Sequence, residues 1–223
     1  MIFSIPNVVT PEELEEINLS LARGEFVDGK LTAGWNAKSV KNNQQLKQKT
    51  PLGKQLTQQV KSALNRNNLF QTAIRPKSIH SLLFSRYDQG MSYGSHVDNA
   101  IMHNQGMWRT DVSFTLFLNP PEAYQGGELV VEGADAEQGY KLAAGSAIVY
   151  PSTSLHRVNE VTEGSRLVCV GWVQSLIRSP SDREILFDLE TARRVIFAKE
   201  GKTPEFDLIS KSLTNLLRKW IDV

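Results

Sequence analysis

The chain has 223 residues, 25 Lys plus Arg against 24 Asp plus Glu, 40% hydrophobic residues and a single cysteine. At that length one large domain, alone or with a small appendage, buries roughly 70% of the unfolded surface without disulfide or metal staples. A net charge of +1 gives no broad positive field, which counts against nucleic acid or an anionic membrane as a partner and puts specificity in a local site. The lone Cys169, inside Leu167-Val168-Cys169-Val170, reads as buried strand and fits a reducing compartment. Met1 to Pro6 has no basic leader, and no stretch approaches the roughly 18 apolar residues of a membrane span, so the cytoplasm is the expected location.

The elements follow in chain order. Thr10-Pro11-Glu12-Glu13 is a capping box with proline at the first helical position, Leu14, Ile17 and Leu21 form the apolar stripe, and Gly24 is expected to stop the helix in a left-handed conformation. The polar run Lys41-Asn42-Asn43-Gln44-Gln45 reads as a solvated loop or helix end. A second helix starts at Thr50-Pro51 and carries Leu52, Leu56, Val60 and Leu64. From about Arg75 to Gln174 the pattern turns to β-rich runs: Ser78 to Tyr87, Asp111 to Leu118, Gly127 to Val131, Ser146 to Tyr150 and Arg166 to Val173. This spacing predicts an antiparallel sandwich or barrel, with the one-faced helices lying on its outside. Arg166, Val168, Val170 and Trp172 share one face of their strand, and Leu167, Cys169 and Val173 the other. Two further helices are predicted at the C-terminal end. A capping box at Ser181-Asp182-Arg183-Glu184 precedes the stripe Ile185, Leu189, Ala192, Ile196, with Gly201 as the stop. Thr203-Pro204 opens the second, with Phe206, Ile209, Leu213, Leu216 and Trp220. Packing of both stripes against the barrel is the first reading and a homodimer contact the second.

Only four histidines are present, at positions 80, 96, 103 and 156. His96 and Asp98, two apart on an extended segment, point the same way and can share one metal, a weak signal without a third ligand. His156 is that candidate, after a β run and before a hairpin turn predicted at Glu160 to Gly164, with Arg166 ten residues on. If the strands pair across that turn, His156 and Arg166 both look into the barrel. A buried arginine needs an anion, either a protein carboxylate or a ligand carboxylate held in a fork. Two His and one Asp leave metal positions open, the arrangement that suits Fe(II) in non-haem oxygenases.

Taken together, Arg86 to Asp98, Phe114-Thr115-Leu116-Phe117-Leu118-Asn119, Gly126-Gly127-Glu128-Leu129, and Pro151 through His156 to Arg166 resemble the Fe(II)- and 2-oxoglutarate-dependent dioxygenases of the prolyl hydroxylase type, and within them the bacterial PKHD-type hydroxylases. The resemblance spans the whole chain. It implies an α+β fold: a double-stranded β-helix (jelly-roll) core at 77–177, an N-terminal helical and β segment at 1–76 and a C-terminal helical segment at 178–223. It further implies His96, Asp98 and His156 as iron ligands, Arg166 as partner of the far carboxylate of 2-oxoglutarate, Tyr87 as a second cosubstrate contact or a packed core aromatic, and ascorbate as accessory reductant. The substrate class stays open between a protein side chain, a free amino acid and a small molecule of siderophore type. A cupin-like binding module or a non-oxygenase metalloenzyme is the alternative. His80 reads as a satisfied strand histidine, and His103 as exposed or at the substrate mouth. Arg109 and Asp111 read as an ion pair ahead of substrate contacts, and Trp35 as part of a lid or an anchored surface loop.

Overall fold

The computed structural model describes residues 1–35, 37–103 and 106–222. In chain order its elements are β1 (Phe3–Ile5), α1 (Pro11–Ala22), β2 (Phe26–Asp28), β3 (Lys41–Asn42), β4 (Gln44–Leu46), α2 (Pro51–Arg66), α3 (Asn68–Ile74), β5 (Pro76–Asp88), β6 (Ser92–His96), β7 (Ile101–His103), β8 (Met107–Arg109), β9 (Val112–Phe117), β10 (Tyr124–Gly126), β11 (Leu129–Glu132), β12 (Glu137–Tyr140), β13 (Ala147–Pro151), β14 (His156–Val158), β15 (Val161–Ser175), α4 (Pro180–Glu200) and α5 (Pro204–Trp220).

Two antiparallel sheets make a jelly roll. The major sheet runs β1-β13-β9-β15-β5-β4-β2, with β10 also paired to β15; the minor sheet runs β12-β11-β14-β6-β3. The long strands β15 and β5 pair along most of their length, and β9, buried at every position, flanks β15 on its other side. A continuous apolar run suits a strand covered on both faces. On the outer face Ile17, Leu21, Leu56, Val60 and Phe70 from α1 to α3 join Phe84, Phe114, Leu116, Cys169 and Val173 in one core. On the inner face Tyr87, Phe117, Tyr124, Ile148 and Val168 meet Leu129, Val131 and Val158 of the minor sheet. The alternation predicted for β15 is therefore the one the sandwich uses.

The α1 capping box forms as expected, with Thr10 Oγ1 accepting from the Glu13 amide at 3.3 Å and Glu13 Oε2 from the Thr10 amide at 2.9 Å. Gly24 does not end the helix in a left-handed turn. Arg23 is the C-cap, in the right-handed region, and the missing side chain at Gly24 makes room for Leu46 of β4.

At the other end, α4 starts two residues earlier than predicted: Ser179 is the N-cap and accepts from the Asp182 amide at 3.2 Å. Its buried line is Arg183, Leu186 and Glu190; of the predicted stripe Leu189 packs against the same small core, whereas Ile185 and Ala192 are exposed. The stripe predicted for α5 holds. Leu213, Leu216 and Trp220 close with Leu186 and Ile177 a small separate core between the two helices, while Phe187 of α4 packs against the main core of the barrel. The chain then returns to the end of β15 through an Ile177–Ile221 bridge.

Candidate metal and cosubstrate site

The minor sheet brings the two key histidines together. His96 ends β6, His156 begins β14, and the two are direct antiparallel partners with ring centroids 4.3 Å apart. Asp98 follows β6 by two residues, and one ligand atom from each of the three lies within 4.8 Å of the others. Each imidazole has its Nδ1 against a backbone carbonyl, His96 on Gly94 at 2.8 Å and His156 on Ser154 at 3.0 Å. A carbonyl only accepts, so Nδ1 carries the proton in both rings and Nε2 keeps a free lone pair, the state a metal ligand needs. Burial, helped by the neighbouring His156, lowers the His96 pKa to about 4, so the ring is neutral at neutral pH. Tyr93 stacks on His96 at 3.7 Å, and Tyr150 leans on His156 at 5.0 Å. Asp98 Oδ2 accepts from Ser113 Oγ at 2.6 Å, and Ser113 in turn meets Ser152 Oγ at 2.8 Å. Two bare imidazole nitrogens and an oriented carboxylate fit a divalent cation that keeps open positions.

Arg166 faces the same cavity from the major sheet. It is 1% exposed, and among the described residues none of its three guanidinium nitrogens has a hydrogen-bond partner of regular geometry. Its charge lies 5.1 Å from the ring centroid of Tyr87, its cross-strand neighbour, and 5.6 Å from that of Phe117, with the Tyr124 hydroxyl also beside it. Gly127, at φ +67°, leaves space for the arginine stem: a Cβ there would stand 3.1 Å from Arg166 Cδ. Asn119 clamps the backbone on both sides, donating to the Ser165 carbonyl at 2.6 Å and accepting from the Leu167 amide at 2.9 Å. A fully buried guanidinium with no carboxylate partner among the described residues fits the end carboxylate of a dicarboxylic acid. Tyr87 is 3% exposed and lines the cavity, and burial pushes its phenol pKa up, so the hydroxyl stays a donor.

His156 and Arg166 do meet at this cavity, but not across a hairpin. β14 pairs with β11 and β6, whereas Val161 already opens β15 in the opposite sheet. The two side chains face each other between sheets. His80 is buried, with Nε2 3.4 Å from the Arg109 carbonyl, and His103 is exposed at the end of β7; neither lines the cavity. Arg109 and Asp111 form the expected ion pair at 2.7 Å, extended by Asp222 at 2.8 Å. Trp35 is 90% exposed, while its neighbours Ala33 and Gly34 line the cavity mouth.

The polar run read as a solvated loop is instead part of the site. Lys41 and Asn42 form β3, Gln44 to Leu46 form β4, and Lys41, Asn43 and Gln45 are 5%, 4% and 2% exposed and line the cavity. Their alternation was the available signal. The cavity opens to solvent, and with that open space included it spans about 740 Å³.

The family described as the 2OG-Fe(II) oxygenase superfamily matches residues 82–174. A PKHD-type hydroxylase of Gloeothece citriformis is 65% identical over 100% of both chains, and one of Picosynechococcus sp. is 66% identical over 99% of both. Among solved structures, a 2OG-Fe(II) oxygenase family oxidoreductase from Burkholderia pseudomallei aligns with TM-score 0.58 and 21% identity, over 77% of this chain and 84% of that one. A Pseudomonas putida prolyl-4-hydroxylase aligns with TM-score 0.52 and 20% identity, over 78% and 92%. These two share the jelly-roll fold. The near full-length identity to the curated relatives decides the family: the chain belongs to the PKHD-type hydroxylases of the 2OG-Fe(II) oxygenase superfamily and is a 2-oxoglutarate-dependent oxidoreductase.

Proposed function

We propose that the enzyme hydroxylates a C–H bond of its substrate while converting 2-oxoglutarate to succinate, with His96, Asp98 and His156 holding Fe(II) and Arg166 holding the far carboxylate of the cosubstrate. The observation that carries this reading is the meeting, in one cavity, of two imidazoles and a carboxylate with a buried guanidinium that has no carboxylate partner among the described residues. Fe(II), when bound, supplies the oxygen chemistry that side chains lack. The balance is closed: 2-oxoglutarate loses one carboxylate as CO2, one atom of dioxygen enters succinate, and the other becomes the substrate hydroxyl.

The chain's own residues then have distinct tasks. The Gly94 and Ser154 carbonyls fix the histidine tautomers, and Ser113 orients Asp98. Arg166 forms a forked pair with the cosubstrate carboxylate, with the Tyr87 hydroxyl as a further donor. Tyr150, Phe117 and Val168, all buried, keep water from the cavity floor. Ascorbate serves as accessory reductant, sustaining the enzyme after turnovers that oxidise the metal without product. The test is succinate formation from 2-oxoglutarate with Fe(II) under air, including slow turnover without substrate. Equal succinate and CO2, abolished in His96→Ala, is expected; no succinate from a metal-loaded enzyme would remove the reading.

A further inference from the structure

Resting on that reading, the charges of the cavity close without Lys41. The two positive charges of a ferrous ion and the one of Arg166 are matched by Asp98 and the two carboxylates of 2-oxoglutarate. Lys41 is left over. It lines the cavity at 5% exposure, its Nζ donates to Thr32 Oγ1 at 3.2 Å and lies 5.0 Å from the Tyr93 ring centroid, and among the described residues no carboxylate forms an ion pair with it. Asp98 and Asp28 act on it only at longer range, and Asp28 is exposed. One hydroxyl satisfies one of three ammonium protons. Two residues on, in the link between β3 and β4, Asn43 lines the same cavity at 4% exposure, and among the described residues neither atom of its carboxamide has a hydrogen-bond partner of regular geometry. A buried cation beside an unsatisfied amide is costly as architecture, since an apolar side chain of similar length would fill the space at no electrostatic cost. As a recognition element the same pair is economical, one group supplying charge and the other a directed N–H.

We propose that Lys41 and Asn43 bind a carboxylate of the substrate to be hydroxylated, so that the enzyme selects carboxylic acids over their neutral counterparts. The β3–β6 pairing sets Lys41 directly opposite Tyr93, the residue stacked on His96. A substrate anchored there is presented to the metal ligands rather than held at the mouth.

The full-length enzyme, loaded with Mn(II) and 2-oxoglutarate so that no turnover occurs, is titrated by thermal shift with N-acetylglycine and with its uncharged amide, N-acetylglycinamide. The acid is expected to raise Tm by about 3 °C at roughly ten times its Kd, and the amide to leave Tm unchanged. In Lys41→Met the acid's apparent Kd weakens at least ~10-fold, Lys41→Arg retains most of the effect, and stabilisation by Mn(II) with 2-oxoglutarate persists in both. Equal stabilisation by acid and amide, none by either, an unaltered acid response in Lys41→Met, or a matching loss of 2-oxoglutarate affinity in that variant would each overturn the proposal. Should Lys41→Met not fold, the wild-type comparison of acid with amide decides. If Mn(II) and 2-oxoglutarate fail to stabilise the wild type, the oxygenase reading falls and this one with it; if they succeed and the acid does nothing, only this one falls.

Discussion

His96 and His156 are cross-strand partners of β6 and β14, and each has its Nδ1 on the carbonyl two residues before it. The backbone therefore sets both tautomers, and the pairing register of two short strands fixes the spacing of two metal ligands. Asp98 depends instead on side chains. Ser113→Ala removes its hydrogen-bond donor and should weaken Mn(II) binding about 10- to 100-fold with little change in fold. Calorimetric titration of the metal is the check, and unchanged affinity would mean that Ser113 does not orient the carboxylate.

Arg166 is expected to be a liability until its ligand arrives. Arg166→Met should stabilise the ligand-free protein by about 1 to 3 kcal/mol, because it replaces an unpaired buried charge with an apolar stem, and should abolish the Tm increase produced by 2-oxoglutarate. Arg166→Lys keeps the charge but loses the fork, so 2-oxoglutarate affinity should fall roughly 10- to 100-fold. A destabilised Arg166→Met would show that the arginine has a structural role in the empty protein.

In metal-free protein the histidine cluster should also shape acid stability. The folded pKa of His96, about 4, lies below its ordinary 6.5, so the unfolded chain takes up the proton first. The stability this provides is complete above pH 6.5 and is lost as the pH falls towards 4, with a limiting slope of about 1.4 kcal/mol per pH unit. Urea unfolding across that window, wild type against His96→Gln, should show the steeper decline in wild type.

The terminal anchor separates two kinds of ion pair. Asp111, with a side chain 6% exposed, accepts from Arg109 Nε at 2.7 Å and from the Ser175 amide at 2.9 Å, whereas Asp222 is 50% exposed. Asp111→Ala should cost about 3 kcal/mol, since it leaves the buried Ser175 amide without its acceptor and Arg109 with only the exposed Asp222 as a carboxylate partner. Asp222→Ala should stay within about 1 kcal/mol. Equal losses in denaturant unfolding would contradict this division.

The motif residues were legible because chemistry restricts them: few histidines, one His-x-Asp, and an arginine at a strand with apolar neighbours. What escaped was set by tertiary context. Lys41, Asn43 and Gln45 alternate as a strand should, but their polarity masked the alternation, because they line a cavity instead of a dry core. The connection from His156 to Arg166 has hairpin length, yet Gly126 and Glu160 bring β10 alongside β15, and β14 joins the other sheet. In α4 the N-cap is Ser179 and not the predicted Ser181. Proline at position 180 accounts for this, since it suits the first helical position, and of the predicted stripe Leu189 still packs inward.

The metal ligands and Arg166 are expected to form one composite site for 2-oxoglutarate. Calorimetric titration of 2-oxoglutarate into three proteins addresses it directly: metal-free wild type, Mn(II)-loaded wild type and Mn(II)-loaded Arg166→Met. Binding is predicted only in the Mn(II)-loaded wild type, with affinity at least about 100-fold above the other two. Equal affinity in all three would contradict it.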